Sequence, residues 1–150
     1  MTERPDNETR RFIADALADG KANVPLTCNA AFETMGAVLV EGTPGDVLVS
    51  FQAGEGTAQG NGVVSGGTLA GFLDSAMAVA VLSALKPGQT CSTISLNVNM
   101  MRPGLVGTLY VKAGVERMGR RVAFAHARLI DGDDKVVATG TSSLAVIDMA

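Results

Sequence analysis

Asp74, Gly66 and Gly67 are the residues whose types and spacing best fit chemistry. All three lie in the run 66–85, where every other side chain is apolar, small or a hydroxyl. A run of this kind reads as a helix apolar on nearly every side, and such a helix is buried. A buried carboxylate is costly without partners or a task. Gly66 and Gly67 open the helix, where backbone N–H groups have no partner inside it. Glycine also lets a ligand approach those groups closely. A carboxylate able to take a proton or attack, with N–H donors able to meet a developing negative charge, gives two halves of an enzyme site. The plainer alternatives are a structural carboxylate accepting hydrogen bonds and a helix start packed tightly on a strand. Gly66 and Asp74 are eight residues apart, or about 12 Å along a helix. One chain cannot bring both to one reacting centre. Two such helices laid antiparallel can, so the spacing favours a site shared across a dimer.

Other candidates surround this pair. Ser65 precedes the helix, where serine ordinarily caps the first turn. Gln59 offers an amide to a substrate or water, or is simply a loop residue. Arg102, Lys112, Arg117, Arg120 and Arg121 fall at strand ends or turns. Some of these could meet anionic groups; each alone is an ordinary surface charge. His126 is the single histidine, on a strand face with Val122 and Phe124, so no Ser–His pair or metal site is proposed. Cys28 and Cys91 have no metal-ligand spacing and read as free thiols of a reducing compartment, here the cytoplasm. The seven methionines read as core filler.

Composition narrows the classes. A chain of 150 residues fits one domain, and 47% hydrophobic content opposes disorder. Net charge is −3 with no basic block, which argues against nucleic acid and membrane surfaces. Trp is absent and Tyr110 is the single tyrosine, so no base-stacking platform is expected. Residues 1–6 lack the apolar core of a secretory signal. Residues 69–85 could span a membrane only if slightly short and despite Asp74, so a buried helix of a soluble protein is expected.

The elements that must position these residues follow from periodicity. Residues 8–19 form a helix with Phe12, Ile13, Ala16 and Leu17 on one face, capped by Asp6 or Asn7 and stopped at Gly20. Residues 21–31 read as a loop, and 32–35 as one further turn. Strands are expected at 37–40 and 46–53, joined by a turn at Pro44 and Gly45. The glycine-rich stretch 54–65 is an approach loop to the site or a plain connector. Lys86, Pro87 and Gly88 end the central helix. Strands at 90–101, 108–116, 121–130 and 135–147 follow, with Ile94, Leu96, Val98 and Met100 on one face of the first. Short turns make them antiparallel neighbours. The expected architecture is α+β: a curved antiparallel sheet around one long helix, part of which a second subunit would cover.

The segment 62–76, with Gly66, Gly67 and Asp74, resembles the signature of hotdog-fold thioesterases of the phenylacetate-pathway type. That pattern runs Asn-x-x-Gly-x-x-His-Gly-Gly, with Asp eight residues after the first glycine of the pair. The stretches 97–104, 118–124 and 137–141 resemble the family's later strands, so the likeness covers 32–147. It implies a hotdog domain at 32–150 preceded by an N-terminal helix and loop at 1–31. It further implies an obligate homodimer, often paired into a tetramer, that hydrolyses acyl-coenzyme A thioesters with no cofactor beyond the coenzyme A of the substrate. By the resemblance Gly66 polarises the thioester carbonyl, Asp74 is general base or nucleophile, and Thr93 helps hold the water. Gln59 stands at the usual Asn position and Ser65 at the usual His. With Gly67, Arg102, Arg120 and Arg121, Ser65 completes the expected substrate-binding set. Those two departures keep open a non-catalytic acyl-CoA-binding protein of the same fold. A hotdog hydratase fits less well, since such enzymes pair Asp with a histidine that is missing here.

Overall fold

The computed structural model describes residues 5–150. The non-secretory reading of the N-terminus falls mostly on residues 1–4, outside them.

Helix α1 (Glu8–Ala18) is capped by Asn7, whose side chain accepts from the Arg10 N–H. A two-residue strand β1 (Val24–Pro25) follows where a loop was expected. It lies at the sheet edge, which tolerates proline because the missing N–H faces outward. The short helix α2 (Ala30–Thr34) is capped by Asn29. Strand β2 (Val38–Thr43) continues past its expected end to the turn before β3 (Asp46–Ala53). Gly45 takes the positive φ of that turn, +86°. After a 3-10 turn at Glu55–Thr57, the glycine-rich stretch folds into a small hairpin, β4 (Ala58–Gln59) with β5 (Val63–Val64). Helix α3 (Gly66–Ala84) is the central helix. Strands β6 (Gln89–Met100), β7 (Gly107–Met118), β8 (Val122–Ile130) and β9 (Val136–Asp148) complete the chain.

Seven strands form one antiparallel sheet in the order β1-β2-β3-β7-β8-β9-β6. The sheet wraps α3, which touches β3, β6, β7, β8 and β9, while α1 covers part of its other side. This is the hotdog arrangement. Small residues let the helix approach closely: Ala123, Ala125 and Ala127 line the inner face of β8. On β9, a Cβ at Gly140 would meet Met77 Cε at 3.3 Å. Phe72 of α3 stacks on Phe51 of β3, centroids 4.7 Å apart. Burying one such side chain is worth about 1.5–3 kcal/mol. By length and composition α3 could cross a membrane; in this fold its apolar residues pack on the sheet instead.

Two strand expectations change at bulges. β7 loses register at Glu116, between Val115 and Arg117, which is why its alternation is unclear in sequence. β6 loses register at Ile94: Thr93 pairs with Leu144 and Ser95 with Ser143, leaving Ile94 without a partner. The expected face of Ile94, Leu96, Val98 and Met100 is therefore broken. Thr93 sits on the helix-facing side with Leu96 and Val98, and Ile94 is 61% exposed.

Candidate functional site

The first turn of α3 is assembled by its cap. The Ser65 hydroxyl accepts from the Thr68 N–H at 3.3 Å and lies 2.9 Å from the Thr68 hydroxyl. The N–H groups of Thr68 and Leu69 donate to the Ser65 carbonyl, while those of Gly66 and Gly67 find no acceptor among the described residues. Neither glycine has positive φ. A Cβ at Gly67 would meet nothing within 4 Å, and one at Gly66 would meet only the end of Met100, at an ordinary 3.6 Å. Tight packing of the helix start does not explain the pair. What glycine leaves free here is the approach to two unpaired backbone donors, at the positive end of the helix dipole.

An open groove of 390 Å³ lies in front of that turn. Gln59, Val63, Val64, Gly66, Leu69 and the segment 100–104 line it, so three expected site residues, Gln59, Gly66 and Arg102, meet there. The hairpin positions Gln59. Its Val64 N–H donates to the Gly104 carbonyl at 2.7 Å, and the Ser65 N–H donates to the Thr57 carbonyl. The glycine-rich stretch is thus a wall of the groove. Gly67 is exposed beside it.

Asp74 and Thr93 meet elsewhere. Thr93 Oγ1 donates to Asp74 Oδ1 at 2.8 Å. The expectation that Asp74 is buried needs correction: it is half-buried, on a stripe of α3 with Gly67, Ala70, Gly71 and Ala78 that neither sheet nor α1 covers fully. Glycine and alanine count as apolar or neutral in a hydropathy reading, so composition cannot reveal that this face is open. Cys91 lies close by. Burial, with the Asp74 charge adding, pushes its thiol up to about 11, so it is no nucleophile at neutral pH.

The remaining residues disperse. Arg120 lines a separate groove of 310 Å³ with Lys86, Gln89 and Met118, at the other end of α3. Lys86, which in sequence reads as part of a helix-stopping turn, thus lines a groove with a second cation. Arg121 is exposed, and its carbonyl accepts from the Val146 N–H. His126 is exposed and faces Glu116 at 3.3 Å. Both cysteines are free. No group of three or more potential metal ligands occurs among the described residues.

The model of the thioesterase superfamily matches residues 61–138, which holds both α3 and β6. The chain belongs to the thioesterase superfamily. Another member is similar along nearly its whole length: a phenylacetic acid degradation-related protein from Ralstonia eutropha JMP134, at 32% identity and TM-score 0.77, covering 93% of this chain and 99% of that one. Two further solved structures share the fold. The PaaI protein from the phenylacetic acid degradation operon of E. coli has 20% identity and TM-score 0.77, covering 95% of this chain and 96% of its own. The smu.793 protein of Streptococcus mutans UA159, solved bound to acetyl-CoA, has 20% identity and TM-score 0.68, covering 74% and 88%. No curated protein sequence matches the chain. Within the matched segment, the Ser65 hydroxyl caps α3.

Proposed function

We propose that the protein hydrolyses acyl-coenzyme A thioesters in a site shared by two copies of the chain. One observation carries this reading: Gly66, which lines the groove, and the exposed Gly67 beside it carry N–H donors unpaired among the described residues, with no packing or backbone reason to be glycine. In a thioester hydrolase those donors face the carbonyl oxygen as it gains charge, and such a donor is worth about 10²–10³-fold in turnover. Asp74 takes the proton of the attacking water, or attacks the carbonyl itself to give a mixed anhydride that water then hydrolyses. Thr93 fixes its orientation. The carbonyl carbon gains oxygen, the C–S bond breaks, and the coenzyme A thiolate leaves.

The separation of about 12 Å between Gly66 and Asp74 supports the shared arrangement. So does β6, a twelve-residue edge strand whose far side has no partner among the described residues. Exposed edges of this length are usually covered. Thr93 lies under Asp74, and Met100 lies beside Gly66. Pairing two β6 strands antiparallel, with Thr93 of one opposite Met100 of the other, would carry Asp74 of each copy to Gly66 of its neighbour. It would also cover Ile94, Met100 and Met101, which are 61%, 46% and 61% exposed. We further assign the phosphates of coenzyme A to the groove of Lys86 and Arg120. It lies about 15 Å along α3 from Asp74, a pantetheine length away, whereas Arg102 serves the Gly66 groove. Pairing of dimers and a cytoplasmic setting, which the free thiols fit, complete the proposal.

A second reading has one observation in its favour. Ser65 stands at the usual histidine position and its hydroxyl is spent on Thr68, so a protein that holds acyl-CoA without turnover would look similar. Release of free thiol from a panel of acyl-CoAs separates the two. Turnover supports hydrolysis; saturable binding with no thiol release supports the binding protein. Light scattering reads the assembly, and an active monomer would exclude the shared site.

A further inference from the structure

The Thr93–Asp74 hydrogen bond depends on a strand that is irregular at that point. Ile94 is extra in β6, between Thr93 paired with Leu144 and Ser95 paired with Ser143. A bulge bends its strand and raises local twist, and so re-aims neighbouring side chains. It also leaves ladder groups to be satisfied by other means. Ser142 on β9 bonds to the residue after the bulge. It faces α3 between Leu96 and Ala125, in a row otherwise apolar, and is only 5% exposed. A buried hydroxyl there costs free energy unless bonded. Its Oγ donates to the Ser95 carbonyl at 2.9 Å, with a longer contact of 3.4 Å to the Ser143 carbonyl. On the opposite face, the Ser95 and Ser143 hydroxyls are 2.7 Å apart. The residue after the bulge is therefore held on both faces of the sheet.

We infer that Ser142 is a positioning residue: it holds the β6 bulge in place, and through the bulge aims Thr93 at Asp74. It touches neither substrate nor Asp74. The kinetic part rests on the thioesterase reading; the structural part does not.

The test uses Ser142→Ala, Thr93→Val and the double variant in the full-length protein. Misplacement of a catalytic group by a fraction of an ångström to an ångström lowers turnover rather than binding. Ser142→Ala is expected to lower kcat about tenfold with KM within about twofold. In the Thr93→Val background it should cost nothing further, since its route of action is already gone. A loss that multiplies fully with that of Thr93→Val would mean general destabilisation and would overturn the inference, as would an unchanged kcat. A crystal structure of Ser142→Ala reads the same inference without any activity. Separation of Thr93 Oγ1 from Asp74 Oδ1 beyond hydrogen-bond distance supports it, and an intact bond overturns it whatever the kinetics. If the wild-type protein releases no thiol from any acyl-CoA, the hydrolase reading fails while this structural arm still decides.

Discussion

At the start of α3 the N–H groups of Gly66, beside an open groove, and of the exposed Gly67 find no acceptor among the described residues, whereas near its far end the chain is tied down repeatedly. There the Ser83 hydroxyl donates to the Ala80 carbonyl at 2.6 Å and accepts the Gly45 N–H at 2.8 Å. Arg10, 6% exposed, reaches the Leu85 carbonyl at 3.5 Å and pairs with Asp6 at 2.6 Å. Asp6 also accepts the Gly88 N–H at 3.0 Å, and Gly88 accepts from Met149. Placing a cation there complements the negative end of the helix dipole. One end of the helix is satisfied and closed; the other keeps its donors in reserve. Unpaired donors lower stability and are useful only to a ligand, so the contrast separates a working end from an anchoring end. Substitutions at the two ends should accordingly move different observables.

The largest effect is expected at Asp74, between the ends. Asp74→Asn keeps the size of the side chain but loses the base, and base catalysis contributes about 10²–10⁴-fold. Thiol release should fall by at least that much, while the protein stays folded and still binds acyl-CoA through the open end. Mixing then sharpens the comparison. A dimer of an Asp74→Asn chain with a chain blocked at the Gly66 end should recover one working site. Mixed dimers that stay inactive would mean each chain works alone.

Next is Gly67→Ala at the working end. A Cβ there meets nothing, and alanine is a better helix former by up to about 1 kcal/mol. Melting temperature should hold or rise. The methyl would stand over the reserved donors, and kcat/KM should fall about tenfold or more. A variant equally stable and fully active would return the glycine pair to mere sequence drift and remove the main support for the oxyanion role.

The helix and the glycine pair were legible because their physics is local: composition marks the helix, Pro87 its end, and two glycines its start. The four long strands were legible as runs bounded by turns, but the expectation that each pairs with the next fails for the first two: β6 pairs with β9 and β7 with β3, so the turn at Arg102, Pro103 and Gly104 crosses between opposite edges of the group. What stayed hidden depends on other parts of the chain. The bulge at Ile94 exists only in pairing with β9, so the sequence pattern put Ile94 on the face of Leu96 and Val98. The openness of Asp74 depends on which face of α3 the sheet leaves uncovered, and glycine and alanine give no sign of it. Asp6 and Asn7 were interchangeable caps in sequence. In the fold Asn7 caps α1, and Asp6 is drawn away by Arg10 and Gly88, residues far apart in the chain.

For the Arg10–Asp6 anchor, which lines neither groove, the effect should be on stability alone. Arg10→Ala removes a nearly buried partner of Asp6, and hydrogen bonds to charged groups contribute about 1.5–3 kcal/mol each. Urea unfolding should shift by roughly that amount, while kcat per folded molecule stays unchanged. A loss of turnover at full folding would mean that the anchor reaches the site and would blur the contrast between the ends.

The smallest effect at neutral pH, and the sharpest in form, concerns the protonation of Asp6. The Arg10 side chain, with the Gly88 N–H and the Arg10 charge adding, holds its carboxyl well below the ordinary value of 3.8. The unfolded chain takes up that proton near pH 4, while the folded chain does not until well below. In between, the unfolded state binds more protons, so stability rises with pH. The contribution of Asp6 is therefore complete above about pH 5 and drains away as the pH falls below about 4. Asp6→Asn should be less stable than the wild type at pH 7, and the gap should narrow as the medium is acidified toward pH 2. Unfolding curves at several pH values read this directly. Because other carboxylates titrate in the same range, the informative quantity is the difference between the two proteins. A gap that stays constant with pH would mean that Asp6 acts by shape and not by charge.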